Sequence, residues 1–232
     1  MNDTMNTPLR AVLLDLDGTL LDSGEMDMRA MNQLFNEELA LQFSEEKLRS
    51  FMGMTSEDVL REMALERKEY WLQRWLAIQN EFRYLVRLFP GVRLALEKQR
   101  AAGRALGVVT AQSRQELEAT RAHIDLEDLI EVWISSDDTE RPKPSPEPVH
   151  LALSRLGVAP AEAVMVGDTM FDLAAGRAAG VRIAAALYGA PDPQALLDFE
   201  PDYVLCQPDE IGEIGNWSVE IEATCRHQSP ID

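Results

Sequence analysis

At 232 residues, with 40 acidic side chains against 22 Lys and Arg and a net charge of -18, the chain can bury one good core and one small inserted subdomain. That charge balance, without any run of basic residues, argues against nucleic acid and anionic membrane surfaces as partners. No apolar stretch approaches ~20 residues, so no membrane-spanning helix is expected. The polar, acid-bearing start MNDTMNTPLR has the features of neither a signal nor a transit peptide, and a cytoplasmic setting is expected. Cys206 and Cys225 have no metal-ligand spacing and read as free thiols of a reducing compartment.

Residues 1–9 read as a loose tail. The stretch Ala11 to Ser23, AVLLDLDGTLLDS, follows, in which a short apolar run enters Asp15-Leu16-Asp17-Gly18-Thr19. This is the pattern of a buried parallel strand ending in a turn that carries carboxylates. Asp15 and Asp17 share one face if the strand continues through them, and Gly18 permits the turn. Two carboxylates held side by side repel unless a cation or a shared proton offsets them, which suggests a divalent metal and leaves one carboxylate free as a nucleophile. Read alone, the same residues are also a surface turn with solvated acids.

From about Gly24 to Phe89 the sequence shows helical periodicity and no convincing strand. Met28, Met31, Leu34, Phe35 and Leu39 recur at three- and four-residue steps, as do Leu72, Trp75, Leu76, Phe82, Leu85 and Val86. Ser44 and Thr55 or Ser56 supply helix starts. The segment is expected to form a small helical bundle whose Met and aromatic residues pack its core. After the break Phe89-Pro90-Gly91, a helix over Arg93–Ala102 ends at Gly103, and strands and helices then alternate. The expected strands are Ala105–Thr110, Val132–Ser135, Ala163–Gly167 and Val181–Leu187, with a short edge strand at Asp202–Leu205. The expected helices are Ser113–Ala122, Ser145–Leu156 and Phe171–Ala179. This alternation predicts an α/β fold with a doubly wound parallel sheet. Residues from about Asn216 look peripheral.

In such sheets ligands collect at the carboxyl ends of the strands. Thr110-Ala111-Gln112-Ser113 ends the second strand of the sheet and reads either as a phosphate cradle or as an ordinary helix start. Lys143 is flanked by Pro142 and Pro144, which restrict how its ammonium is aimed. The fourth strand runs into Gly167-Asp168-Thr169-Met170-Phe171-Asp172, where Asp172 falls in a helix's first turn.

With these stretches in order, the chain resembles the haloacid dehalogenase superfamily over about residues 10–205. Asp15-Leu16-Asp17-Gly18-Thr19 matches its first motif, Thr110 its second, Lys143 its third and Gly167-Asp168 to Asp172 its fourth. The helical insertion after the first motif matches the branch with a helical cap. The resemblance implies a Rossmann-like core over 10–23 and 90–215, an all-helical cap over 24–89, and peripheral tails at 1–9 and 216–232. It also implies a magnesium-dependent phosphatase acting through an aspartyl-phosphate. Asp15 would be the nucleophile and Asp17 the general acid and base. Thr110, the Ala111 N–H and Lys143 would bind phosphate. The metal would be held by the Asp15 carboxylate, the Asp17 carbonyl and the Asp168 carboxylate, with Asp172 in support. Ala111 stands where the phosphatase branch often has Asn, so only a backbone contact carries over.

The expected substrate is a small phosphorylated metabolite. A phosphoglycolate phosphatase-like activity leads, and an inorganic pyrophosphatase of the same subfamily is the alternative. A mutase resembling β-phosphoglucomutase is disfavoured, because Asp27 and Ser56 stand where that family has His and Arg. A regulator that keeps the fold without turnover is disfavoured by intact Asp15, Asp17, Lys143 and Asp168. The loop Phe51-Met52-Gly53-Met54-Thr55-Ser56 resembles the branch's substrate-contacting loop, and Arg29, Lys47 and Arg49 are candidates to meet an anionic leaving group.

Overall fold

The computed structural model describes residues 7–63 and 65–215. Strand β1 (Ala11–Leu14) is followed by a two-residue strand β2 (Leu21–Asp22), then α1 (Gly24–Met31), a π-helical segment (Asn32–Glu38), α2 (Glu45–Arg49), α3 (Ser56–Glu62) and α4 (Lys68–Phe82). A second two-residue strand, β3 (Arg87–Leu88), pairs antiparallel with β2. The order continues as α5 (Val92–Ala101), β4 (Ala105–Val109), α6 (Arg114–Arg121), β5 (Val132–Ile134), α7 (Glu147–Leu156), β6 (Ala163–Gly167), α8 (Met170–Ala179), β7 (Arg182–Ala186), α9 (Pro193–Asp198) and β8 (Tyr203–Leu205).

The main sheet has the order β5-β4-β1-β6-β7-β8, with every neighbouring pair parallel. β1 is central and fully buried, and its side chains alternate between the two faces as a pleated strand requires. Val12 and Leu14 join the cluster formed with Val92, Leu96 and Leu117 of α5 and α6, while Ala11 and Leu13 join Val149, Leu153 and Ala175 of α7 and α8. Burial on both faces explains why β1 is apolar throughout rather than alternating.

The helical segment has a core of its own, in which Leu34, Phe35, Leu48, Phe51, Leu60, Trp75 and Ile78 are buried. Phe35 and Trp75 meet edge to face at 5.2 Å. Ser44 and Thr55 cap α2 and α3, their side chains accepting from the Lys47 and Asp58 amides. The β2–β3 ribbon ties the two ends of this segment together. It was not expected, because two-residue strands carry no readable periodicity. The π-helical stretch and α9 were likewise not anticipated.

Boundaries elsewhere shift by a residue or two. Helix α7 begins at Glu147 rather than at the expected Ser145, with Pro146 at the cap position and the Ser145 hydroxyl accepting from the Glu147 amide at 3.3 Å. Cys206 is disulfide-bonded, which corrects the expectation of a free thiol there. Cys225 and the expected tails at 1–6 and from 216 onward lie outside the described residues. Among the described residues no helix is long and apolar enough to cross a membrane.

Candidate active site at the carboxyl end of the sheet

Asp15 directly follows β1, and its amide continues the sheet pairing by donating to the Val166 carbonyl at 2.9 Å. The chain then turns tightly, with Gly18 at φ +74° and its amide donating to the Leu21 carbonyl at 2.8 Å. Only glycine adopts this backbone without strain, and a Cβ here would overlap the Asp168 carboxylate. The turn thus presses the first motif against Asp168, which leaves the end of β6. Thr19 Oγ1 closes the approach by donating to Asp168 Oδ1 at 2.9 Å.

Lys143 enters from the loop between β5 and α7. That loop is pinned by Glu147, which accepts from the Arg141 amide at 3.0 Å and from its side chain at 2.5 Å. The Lys143 ammonium, almost fully buried, donates to Asp15 Oδ1 at 2.6 Å, to Asp172 Oδ1 at 2.6 Å and to the Val109 carbonyl at 2.9 Å. Its three N–H donors are all used. Asp172, completely buried in the first turn of α8, has its other oxygen held by the Thr169 amide at 3.1 Å and hydroxyl at 2.5 Å.

Burial pushes the Asp15 carboxyl up to about 7, with Asp172 and Asp17 adding and Lys143 only partly offsetting. Asp168 is held well above the usual carboxylate range by burial, then by Asp15 and Asp172. Burial alone would lower Lys143, but Asp15 and Asp172 more than compensate and hold it above the usual ammonium range. Asp15, Asp168 and Asp172 thus gather around a single ammonium.

Asp15, Asp168 and Asp172 each bring one carboxylate oxygen within 4.8 Å of the others. Of these, Asp172 has both oxygens engaged by Lys143 and Thr169, so Asp15 and Asp168 are the pair open to a cation. The set is all oxygen, which suits a hard divalent ion such as magnesium, and a divalent charge would relieve the repulsion between Asp15 and Asp168 that helps to raise Asp168. The Asp17 side chain is not in this group. Its Oδ2 accepts from Gln112 Nε2 at 2.7 Å, while Oδ1 is buried without a hydrogen-bond partner, and burial raises the carboxyl above its usual range.

Thr110, buried at the end of β4, accepts from the Gln112 amide through its hydroxyl at 3.1 Å. Thr110, Ala111 and Gln112 line a cavity of about 240 Å³ together with Asp15, Asp17 and Asp168. The opposite wall comes from the helical segment, including Asp27, Met31, Trp75 and Gln79, and from the loop residues Met52, Gly53, Met54 and Ser56. The three candidate cations behave differently. Arg29 and Arg49 pair with Glu25 and Glu45 one helical turn away at 2.5 and 2.6 Å, Lys47 lies 3.7 Å from Glu62, and none lines the cavity.

Thr19, Gln112, Tyr188 and Gly189 belong to the site and were missed as individual residues. Tyr188 donates to the Thr19 carbonyl at 2.7 Å, and Gly189 lies so close to the Gly18 carbonyl that a Cβ could not fit. Both follow β7, so the strand-end rule could have found them, although no motif marks them.

The model of the haloacid dehalogenase-like hydrolases matches residues 12–186. The chain belongs to that family. Relatives of this haloacid dehalogenase-like hydrolase include the pyrophosphatase PpaX of Bacillus velezensis, 33% identical over 84% of this chain and 91% of the relative. The protein of the same name from Bacillus pumilus is 34% identical over 88% and 94%. Among solved structures, a Lactobacillus plantarum protein whose name proposes phosphoglycolate phosphatase activity superposes with a TM-score of 0.80 at 27% identity, covering 89% of this chain and 99% of that one. CbbY from Rhodobacter sphaeroides, solved in complex with phosphate, gives a TM-score of 0.72 at 25% identity, covering 88% and 96%.

Proposed function

We propose that this haloacid dehalogenase-like hydrolase is a magnesium-dependent phosphatase that cleaves a small phosphate monoester through an aspartyl-phosphate on Asp15. The observation that carries this reading is the buried Asp15 carboxylate, anchored through Oδ1 by Lys143 and opening onto the cavity beside Asp17 and Asp168.

In this mechanism the Asp15 carboxylate oxygen attacks phosphorus as the ester P–O bond breaks, and Asp17 gives its proton to the departing alkoxide. Asp17 Oδ1, buried and without a partner, is the oxygen available for that transfer, while the Gln112 hydrogen bond keeps Oδ2 in place. Asp17 then accepts a proton from the water that attacks the phosphorylated Asp15, which releases phosphate and restores the Asp15 carboxylate and the protonated Asp17. Thr110 and the Ala111 amide face the phosphoryl oxygens, whose charge is better stabilised by preorganised donors than by mobile water, and Lys143, its N–H groups engaged by Asp15, Asp172 and the Val109 carbonyl, contributes its positive charge from behind Asp15. Asp15, Asp168 and the Asp17 carbonyl would hold magnesium, which supplies charge neutralisation at the phosphoryl group. The helical segment acts as the cap, and its wall of the cavity chooses the leaving group.

A second reading, hydrolysis of inorganic pyrophosphate, is supported by the name of the Bacillus relatives. Phosphate release from sugar phosphates, phosphoglycolate, nucleotides and pyrophosphate, with magnesium and with chelator, tests both. Asp15→Asn is expected to remain folded with turnover lost, and substantial residual hydrolysis by it would exclude the nucleophile assignment.

A further inference from the structure

The two walls of the cavity carry hydrogen-bonding groups that the protein itself leaves unanswered. Six buried side-chain polar atoms lack a partner among the described residues, and four of them, Asp17 Oδ1, Gln112 Oε1, Gln79 Oε1 and Trp75 Nε1, belong to residues lining this one cavity. Native proteins leave few such atoms unpaired, and a cluster at a cavity wall marks where a ligand completes the set. Asp17 Oδ1 is taken by the proton transfer to the leaving oxygen, and of the other three Gln112 Oε1 and Gln79 Oε1 are acceptors and Trp75 Nε1 is a donor, so the rest of the leaving group meets two acceptors and one donor.

The charges agree. The cavity is lined by Asp22, Asp27 and Glu116 in addition to Asp15, Asp17 and Asp168, and by no Lys, Arg or His. Glu116 is held by Ser56 at 2.7 Å and by the Ser113 hydroxyl at 2.6 Å, so it is a fixed part of the wall. Arg83, whose charge is felt by Asp17, Glu116 and Asp27, is tied to Asn80 at 2.9 Å and Thr120 at 3.0 Å and does not line the cavity. A second anion on the leaving group would enter a partly desolvated space lined by acidic groups and would meet no Lys, Arg or His among the lining residues.

We infer that the leaving group is a small alcohol bearing hydroxyl or ammonium donors and no negative charge, received by Asp27, Gln79, Gln112 and Trp75. Polyol and amino-alcohol monophosphates are the substrate class. Phosphoglycolate and pyrophosphate, whose leaving groups are anionic, are disfavoured at this wall. The cavity of about 240 Å³ sets the size to a few heavy atoms beyond the phosphate. This inference rests on the phosphatase reading for its orientation, with phosphate toward Asp15 and the leaving group toward the cap.

Ethanolamine phosphate, glycerol 3-phosphate, phosphoglycolate and pyrophosphate separate the alternatives, because they are similar in size and differ in leaving-group charge. With wild-type protein and magnesium, kcat/KM for the first two is expected to exceed that for the last two by about tenfold or more. Asp27→Asn should reduce the value for ethanolamine phosphate more than that for glycerol 3-phosphate, and Gln79→Arg should raise phosphoglycolate relative to both. The same four compounds are titrated calorimetrically into Asp15→Asn, which reads the subsite without turnover. The same ranking in binding without wild-type turnover would sink the phosphatase reading and leave the subsite assignment standing. Tighter binding or faster turnover of phosphoglycolate or pyrophosphate would overturn the inference, and binding of none of the four would overturn both.

Discussion

Lys143 and Asp172 meet at 2.6 Å in the protein interior, with 3% and 0% of their side chains exposed, and the same ammonium reaches Asp15 on the other side at 2.6 Å. One positive charge thus holds two carboxylates from separate elements. A buried ion pair contributes little over a well-packed apolar substitute, but removing one partner strands the others in a low-dielectric site. The lysine is therefore both a structural tie and a part of the reactive centre.

Lys143→Met should accordingly cost about 3–5 kcal/mol of stability, because Asp15 and Asp172 lose their shared counter-charge. Asp172→Asn, which leaves Lys143 paired with Asp15, should cost less. Urea denaturation of the wild type and both variants, compared by midpoint at constant slope, checks the order.

Gly189→Ala should impair turnover without unfolding the protein. A Cβ at this position overlaps the Gly18 carbonyl, so the turn carrying Asp17 and Thr19 must shift. A displacement near 1 Å at a reacting group can cost about a hundredfold in rate. The expected result is a fall in kcat of that order, with an unchanged far-ultraviolet circular dichroism spectrum.

The pH dependence of metal-free stability should carry the signature of Asp15. Burial raises its carboxyl from 3.8 to about 7, so the folded state binds this proton more tightly than the unfolded state. The resulting stabilisation is fully present below 3.8 and is lost as pH rises toward 7. Carboxylates whose values are lowered, such as Asp138, have the opposite slope. The Asp15 contribution is isolated by comparison with Asp15→Asn in chelator, where the variant should gain stability relative to wild type as pH increases from about 4 to 7. Thermal melts at several pH values measure that difference.

Magnesium should stabilise the protein by linkage, by about 2.7 kcal/mol at one hundred times its dissociation constant. Asp168→Asn removes one of the two carboxylates open to the cation and should abolish most of the magnesium-dependent rise in melting temperature. Asp22→Asn, a change at a carboxylate that lines the cavity outside the Asp15, Asp168 and Asp172 group, should leave the rise in place. Differential scanning fluorimetry with magnesium and with chelator compares the three proteins.

The central sheet was legible because its signals are local. An apolar run buried on both faces has a composition that a solvated segment cannot tolerate, and β1, β4 and β6 show it. The strand-end positions of Asp15, Thr110 and Asp168 follow from the same reading, since a parallel sheet brings all its carboxyl ends to one edge. The β2–β3 ribbon was not legible, because two residues per strand pair for reasons that lie in the segment they close, not in their own sequence. The disulfide at Cys206 was missed for a related reason, as whether a thiol meets a partner within bonding distance is decided by the folded chain.

The sequence by itself determined the layered fold, the family, and the order in which the reactive side chains arrive at the sheet edge, because each is written in contiguous residues. Only the tertiary structure decided how those side chains divide their bonds. It alone shows that Lys143 is shared by Asp15 and Asp172, that Asp17 leans on Gln112, and that Arg29, Lys47 and Arg49 lie outside the cavity while Asp27, Trp75 and Gln79 line it. The physical reason is that desolvation, charge pairing and hydrogen-bond satisfaction are properties of neighbours in space. Residues 27, 79 and 112 meet around one small volume only after three separate elements have packed.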